Sequence, residues 1–272
     1  MKRKIKNLQE ELRKAYKEHR SSSIIVYFTL RALVIICMAL EFLRGDLNNA
    51  ALCLLSLILF LIPFFIEKKF KIELPNALEI IIMLFIFSAE ILGEINNFYG
   101  VIPYWDTMLH TINGFIAAGV GFALIDLLNQ NIKSINLSPI FVAIVSFCFS
   151  MTIGVLWEFF EYGTDIYFKT DMQKDRIVSS ISSVALNEEG KNIPVELKNI
   201  NYTMIYSVDD NGNIIETKIE GGYLDIGIID TMKDLFVNFI GALCFSIFGY
   251  LYILNRDKYN FISNFIPIKN AT

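Results

Sequence analysis

Six runs of apolar residues, each about long enough to cross a bilayer, dominate the chain: Ser23–Leu43, Asn49–Ile66, Pro75–Leu92, Thr107–Leu128, Pro139–Phe160 and Thr231–Leu254. About 20 such residues in a helix span a hydrocarbon core, where backbone polar groups must be satisfied without water. The runs predict an all-α integral membrane protein, a bundle of six transmembrane helices. With 54% hydrophobic residues, 19% charged residues and a mean hydropathy of +0.47, composition agrees. The lipid bilayer is the expected partner, and no nucleic acid is expected.

Charge sets the expected orientation. Residues 1–22 form a basic tail with eight Lys and Arg residues, and Ile5, Leu8, Leu12 and Tyr16 repeat at helical spacing. That pattern predicts an amphipathic helix against anionic lipid at the inner face. Lys68, Lys69 and Lys71 follow the second run, Lys133 the fourth, and Arg256, Lys258 and Lys269 the sixth, whereas Gly93–Asp106 holds no basic residue. The positive-inside rule places both termini in the cytoplasm. Residues 23–166 then hold spans one to five, 167–229 an extracytoplasmic insert, 230–255 span six and 256–272 a cytoplasmic tail. The four cysteines, Cys37, Cys53, Cys148 and Cys244, all lie in apolar runs, so disulfides are not expected.

Against this apolar background stand three stripes at helical spacing: Asp106/His110/Asn113, Glu158/Glu161/Asp165 and Asp230/Asp234/Asn238. Residues three or four apart share a helix face, and ionisable groups in a span usually mark a functional interior. In the expected topology all three stripes fall at the extracytoplasmic end of spans four, five and six. Glu90 and Glu94 add an i, i+4 pair near the outer end of span three. Gly114, Ala117, Ala118, Gly119 and Gly121, with Gly241 and Ala242, would let spans four and six approach closely. Tyr104, Trp105, Trp157 and Tyr162 read as an aromatic belt at the interface. Arg31, within span one, is expected to pair with Glu79 or Glu90.

The insert reads differently. Ile177–Leu186, Tyr202–Val208 and Ile214–Ile219 are rich in Ile, Val, Ser and Tyr, and Asn211-Gly212 lies between the last two. Asn-Gly between such runs is a hairpin signature. A small β-rich insert follows.

In Asp106-Thr-Met-Leu-His110, Trp157-Glu-Phe-Phe-Glu161 and Asp230-Thr-Met-Lys-Asp234-Leu-Phe-Val-Asn238-Phe-Ile-Gly241, the chain resembles the YjdF-like family of bacterial polytopic membrane proteins. The motif order is also similar, more distantly, to VanZ-like proteins, a family linked to glycopeptide-antibiotic resistance. The likeness covers roughly Tyr104–Leu254. It implies a shared polar constellation in a membrane bundle and brings no established reaction.

Three functions compete. In the first, His110, Asp106, Glu158, Glu161, Asp230, Asp234 and Asn238 form the site of a hydrolase or transferase acting on a lipid-linked or otherwise amphiphilic envelope substrate. His110, Glu158, Glu161 and Asp234 would then hold a divalent metal ion as cofactor, or His110 and a carboxylate would act as an acid–base pair without one. In the second, the same groups couple protons or cations to transport. In the third, they bond to one another and fix helix register in a non-catalytic scaffold.

Overall fold

The computed structural model describes residues 2–70, 72–131 and 137–269. Lys71 and Lys133, and the side chains of tail residues 2–21 on which the amphipathic reading rests, lie outside the described residues. In chain order the elements are α1 (Lys2–Arg44), α2 (Leu47–Leu59), α3 (Ile62–Phe70), β1 (Ile72–Glu73), α4 (Asn76–Ile86), a π-helical stretch (Phe87–Ile95) and α5 (Phe98–Val101). Then come α6 (Trp105–Asn131), α7 (Pro139–Phe168), β2 (Arg176–Val178), β3 (Ile181–Ser183), β4 (Val195–Leu197), β5 (Tyr202–Val208), β6 (Ile214–Glu220), β7 (Tyr223–Asp225), α8 (Ile228–Leu254) and β8 (Ile268–Lys269). They form two compact units, residues 1–154 with 234–272, and residues 155–233.

Among the described residues, five helical segments are long and apolar enough to cross a membrane: Ser22–Arg44, Leu47–Lys69, Trp105–Asp126, Pro139–Phe168 and Ile228–Leu254. The third apolar run is not among them. There α4 ends at Ile86 and the backbone widens into π-helix, a change of hydrogen-bond register from four residues to five. Asn96 closes that stretch, with its backbone N–H and its Nδ2 both donating to the Ile91 carbonyl, at 3.1 and 2.6 Å. The start of α2 is held by Asp46, whose carboxylate accepts the Asn49 amide at 3.0 Å.

Within the first unit, Leu30, Val34, Cys53, Phe60, Met83, Ile86 and Ile91 pack α1, α2, α4 and the π-helical stretch together. Arg31 donates to the Tyr27 hydroxyl and lies over the Tyr27 ring. The expected partners Glu79 and Glu90 are thus replaced by a residue four positions back on the same helix, the one face a guanidinium reaches without crossing to another span. A second cluster joins α6, α7 and α8 through Ala118, Phe122, Ala123, Val142, Ala242 and Phe245. Lipid gives helices little hydrophobic reason to associate, so close packing and polar contacts must do it. Ser146 and Ser150 of α7 donate to the carbonyls of Ala118 and Gly114 of α6, at 2.6 and 2.7 Å.

In the second unit β2 pairs with β7, β3 with β4, and β5 with β6, all antiparallel. The β5–β6 hairpin turns through Asp209–Asn213, with Gly212 at φ 84°. Asp209 organises the loop: Oδ1 accepts the amides of Asn211 and Asn213 at 2.9 and 2.8 Å, and Oδ2 accepts Asn213 Nδ2 at 3.0 Å. The Asn213 side chain and these amides hold the Asp209 carboxyl below the ordinary carboxylate range. A lowered folded pKa adds loop stability that is complete above the unfolded value, about 3.9, and lost as pH falls through the folded one. We expect the amide resonances of Asn211 and Asn213, followed by nuclear magnetic resonance in micelles, to titrate together only below about pH 4. Asp209→Asn should abolish that transition.

Candidate functional site

The site in the first unit begins with the first turn of α6. Asp106 and His110 share a face there because they are one turn apart. Asp234 of α8 joins them. Nε2 of His110 lies 3.4 Å from Asp106 Oδ1 and 4.0 Å from Asp234 Oδ2, and one ligand atom from each of the three residues lies within 4.8 Å of the others. Asp234 is 2% exposed and His110 9%, so both carry a real desolvation cost.

What brings α6 and α8 so close is glycine. A Cβ on Gly241 would stand 2.0 Å from the Thr111 carbonyl oxygen, and one on Gly114 would stand 2.2 Å from the Asn238 carbonyl oxygen. The helix backbones touch just past the trio. Asn238 is wedged into this crossing: its Oδ1 accepts from Asn113 Nδ2 at 3.5 Å, its Nδ2 points to Met151 Sδ at 3.7 Å, and a Cβ on Gly154 would meet that Nδ2 at 2.6 Å. Three helices therefore meet at one buried carboxamide.

The spacing of the trio suits a metal. Tetrahedral bonds of about 2.1 Å put neighbouring donor atoms about 3.4 Å apart, close to the 3.4 Å and 4.0 Å found at His110. Two carboxylates and a neutral imidazole also balance the charge of a divalent ion, which matters where water is scarce. Three protein ligands leave a position open for water or substrate.

The other predicted residues find partners of their own in the second unit. Asp230, 3% exposed, accepts from Arg176 Nη2 at 2.9 Å and from the Lys174 amide at 3.0 Å. Its stripe is thereby split, since Asp230, Asp234 and Asn238 each serve a different partner. Asp165 caps the chain leaving α7, accepting from Thr170 Oγ1 and the Met172 and Gln173 amides at 2.6, 2.7 and 2.8 Å. Glu158 and Glu161 are buried on α7, at 5% and 7% exposure. Glu161 Oε1 accepts from Trp157 Nε1 at 2.7 Å, so this tryptophan orients an acid as well as facing outward. Trp105 likewise donates to the Ser88 carbonyl at 3.3 Å.

Sequence reasoning missed Ser150, Met151 and Gly154, which build the α7 side of the crossing, and Arg176, which holds Asp230. The i, i+4 spacing of Ser150 and Gly154 could have revealed the first group. Nothing in the sequence links Arg176 to an aspartate so far along the chain.

A family model described as a predicted membrane protein (DUF2238) matches residues 25–255. An uncharacterised protein of Thermotoga maritima is 27% identical over 103 residues, covering 38% of this chain and 52% of that protein. The match thus spans about half of that relative's length. No solved structure matches.

The α6–α8 contact is directly testable. Gly241→Ala should cost about 1–3 kcal/mol, the usual penalty of overpacking, read as a lower denaturation midpoint in detergent. Gly163→Ala, where nothing lies within 4 Å of the new Cβ, should leave the midpoint unchanged or raise it.

Proposed function

The chain belongs to the DUF2238 family of predicted membrane proteins, and on that premise we propose that it is a membrane-embedded hydrolase or transferase acting on an amphiphilic envelope substrate. Asp106, His110 and Asp234 hold a divalent ion. Both termini are cytoplasmic, Asn76–Ile95 makes a sixth crossing, and the trio opens at the extracytoplasmic side. The motif order is that of YjdF-like proteins. The VanZ-like likeness contributes no activity to this reading.

The observation that carries the proposal is the convergence of two carboxylates on one imidazole nitrogen at donor-to-donor spacing. A bound divalent ion lowers the pKa of its water and polarises a phosphoryl or acyl oxygen. The protein's own residues fix the geometry. Asp106 and His110 are set by a single helical turn, and Asp234 by the Gly114–Gly241 crossing. In the second unit, Trp157 fixes the orientation of the Glu161 carboxylate.

Packing favours an enzyme over a carrier. About 24 Å along α6 from His110, Asp126 pairs with Arg256 at 3.0 Å. Between these polar sites Ala118, Phe122, Ala242 and Phe245 are fully buried, with Phe122 and Phe245 in edge contact at 5.9 Å. This apolar packing supports a site that opens on one side only.

Elemental analysis of the protein purified in detergent tests the reading. Wild type should carry close to one divalent ion per chain, and His110→Ala and Asp234→Asn should lose at least about nine-tenths of it, in line with the ten- to hundred-fold losses that weaker, outer contacts already cause. Equal metal content in all three proteins would refute it.

A further inference from the structure

Within the second unit, β6 is exposed over almost its whole length. It forms a two-stranded sheet with β5, and among the described residues no strand pairs with β6 on its other side. The outer edge of β5 is met at its start by the chain entering β7, where Thr203 Oγ1 donates to the Gly222 carbonyl at 2.8 Å. At the two ends of the hairpin the Asp209 amide donates to the Asn213 carbonyl at 2.9 Å, and the Gly221 amide to the Asn201 carbonyl at 2.8 Å. Backbone groups alternate sides along a strand, so the odd-numbered residues from Asn213 to Gly221 face β5. The N–H and C=O groups of Ile214, Glu216, Lys218 and Glu220 therefore point outward.

An open edge of this length attracts a further strand, and a lysine in the middle of it is the usual guard. Here the guard is matched by an acid. Glu216 stands two residues before Lys218 on the same face, so the strand complements a copy of itself running the other way. With Thr217 opposite Thr217 of a second copy, Glu216 of each chain stands opposite Lys218 of the other, and Ile215 opposite Ile219. A shift that keeps the faces must be an even number of residues. One such shift opposes Glu216 with Glu216; the reverse shift opposes Lys218 with Lys218 and Glu216 with Glu220. Like charges directly opposite are destabilising, so charge selects the register centred on Thr217. Lys218 lies over the Tyr202 ring and reaches Glu220 along its own strand at 2.7 Å, but so exposed a pair holds a side chain only weakly. The opposite face of the hairpin, made by Thr203, Ile205, Ser207, Ile215, Thr217 and Ile219, carries no charge.

We propose that β6 pairs antiparallel with β6 of a second copy of this chain, about a two-fold axis through Thr217, and joins two hairpins into one continuous sheet. The outward N–H and C=O of Glu216 bond those of Lys218 in the other copy, and Ile214 pairs likewise with Glu220. On the uncharged face, Ile215 packs against Ile219 across the join. The same patch serves both chains, so the contact closes on itself as a dimer and does not propagate.

The experiment uses the full chain in the membranes of cells that express it. Thr217 falls at a non-hydrogen-bonded pair, the closer kind, so Thr217→Cys treated with copper phenanthroline should yield a peptide disulfide-linked to its own copy, identified by mass spectrometry. Ile215→Cys or Ile219→Cys alone should not link, because this register sets like positions about 13 Å apart, whereas the two expressed together should. In the Thr217→Cys chain, Glu216→Lys or Lys218→Glu should each cut the linked fraction at least about threefold, and both together should restore it. In wild type, a carbodiimide should join Glu216 to Lys218 between copies grown on light and heavy nitrogen and reconstituted together. Linking at 215 or 219 alone as strong as at 217, a double charge exchange that restores nothing, or carbodiimide bonds only within one chain would each overturn the inference.

Discussion

The contact between the backbones of α6 and α8 is the constraint on which the polar site depends. Asp106 and His110 are fixed to each other by a helical turn, but Asp234 reaches them only because Gly114 and Gly241 let the two helices touch. A side chain at either glycine would meet the backbone of the other helix and push the two apart. The contact also aligns Asn238 with Asn113, and the serines of α7 bind α6 carbonyls along the same seam. In lipid, where apolar surface gains little by helix association, such contacts decide which helices pair and in what register.

Burying acids is costly, and each one here is answered by a specific partner. Asp234 faces His110, Asp230 meets Arg176 and the Lys174 amide, Glu161 accepts from Trp157, and Asp126 meets Arg256. The partners differ in kind. Those of Asp230 and Asp165 are a guanidinium, backbone amides and a hydroxyl, which satisfy a carboxylate fully and leave it a structural part. At His110, among the described residues, two acids converge on one nitrogen at spacings that also suit the ligands of one cation.

Much of this was legible in advance. Apolar run length gave the spanning helices, and helical spacing put Asp106 with His110 and Asp234 with Asn238. Glycines in the fourth and sixth runs pointed to a close crossing. Legibility ended where partners are distant in sequence or where a backbone changes type without a residue to mark it. After its first residue, Pro75, the third apolar run carries no proline or glycine before Gly93, yet it passes from α- to π-helix at Phe87. Asp230 looked equivalent to Asp234 because periodicity counts positions on a face and is blind to what lies opposite.

The sequence by itself therefore determined a membrane protein with acids, histidine and asparagine on defined helix faces, since hydropathy and the 3.6-residue period are local properties of the chain. The tertiary structure alone decided which of those faces meet: Asp106, His110 and Asp234 as one cluster, and Asp230 with Arg176. Those pairings follow from interhelical packing, where a few glycines and serines set the distances and no local pattern encodes the result.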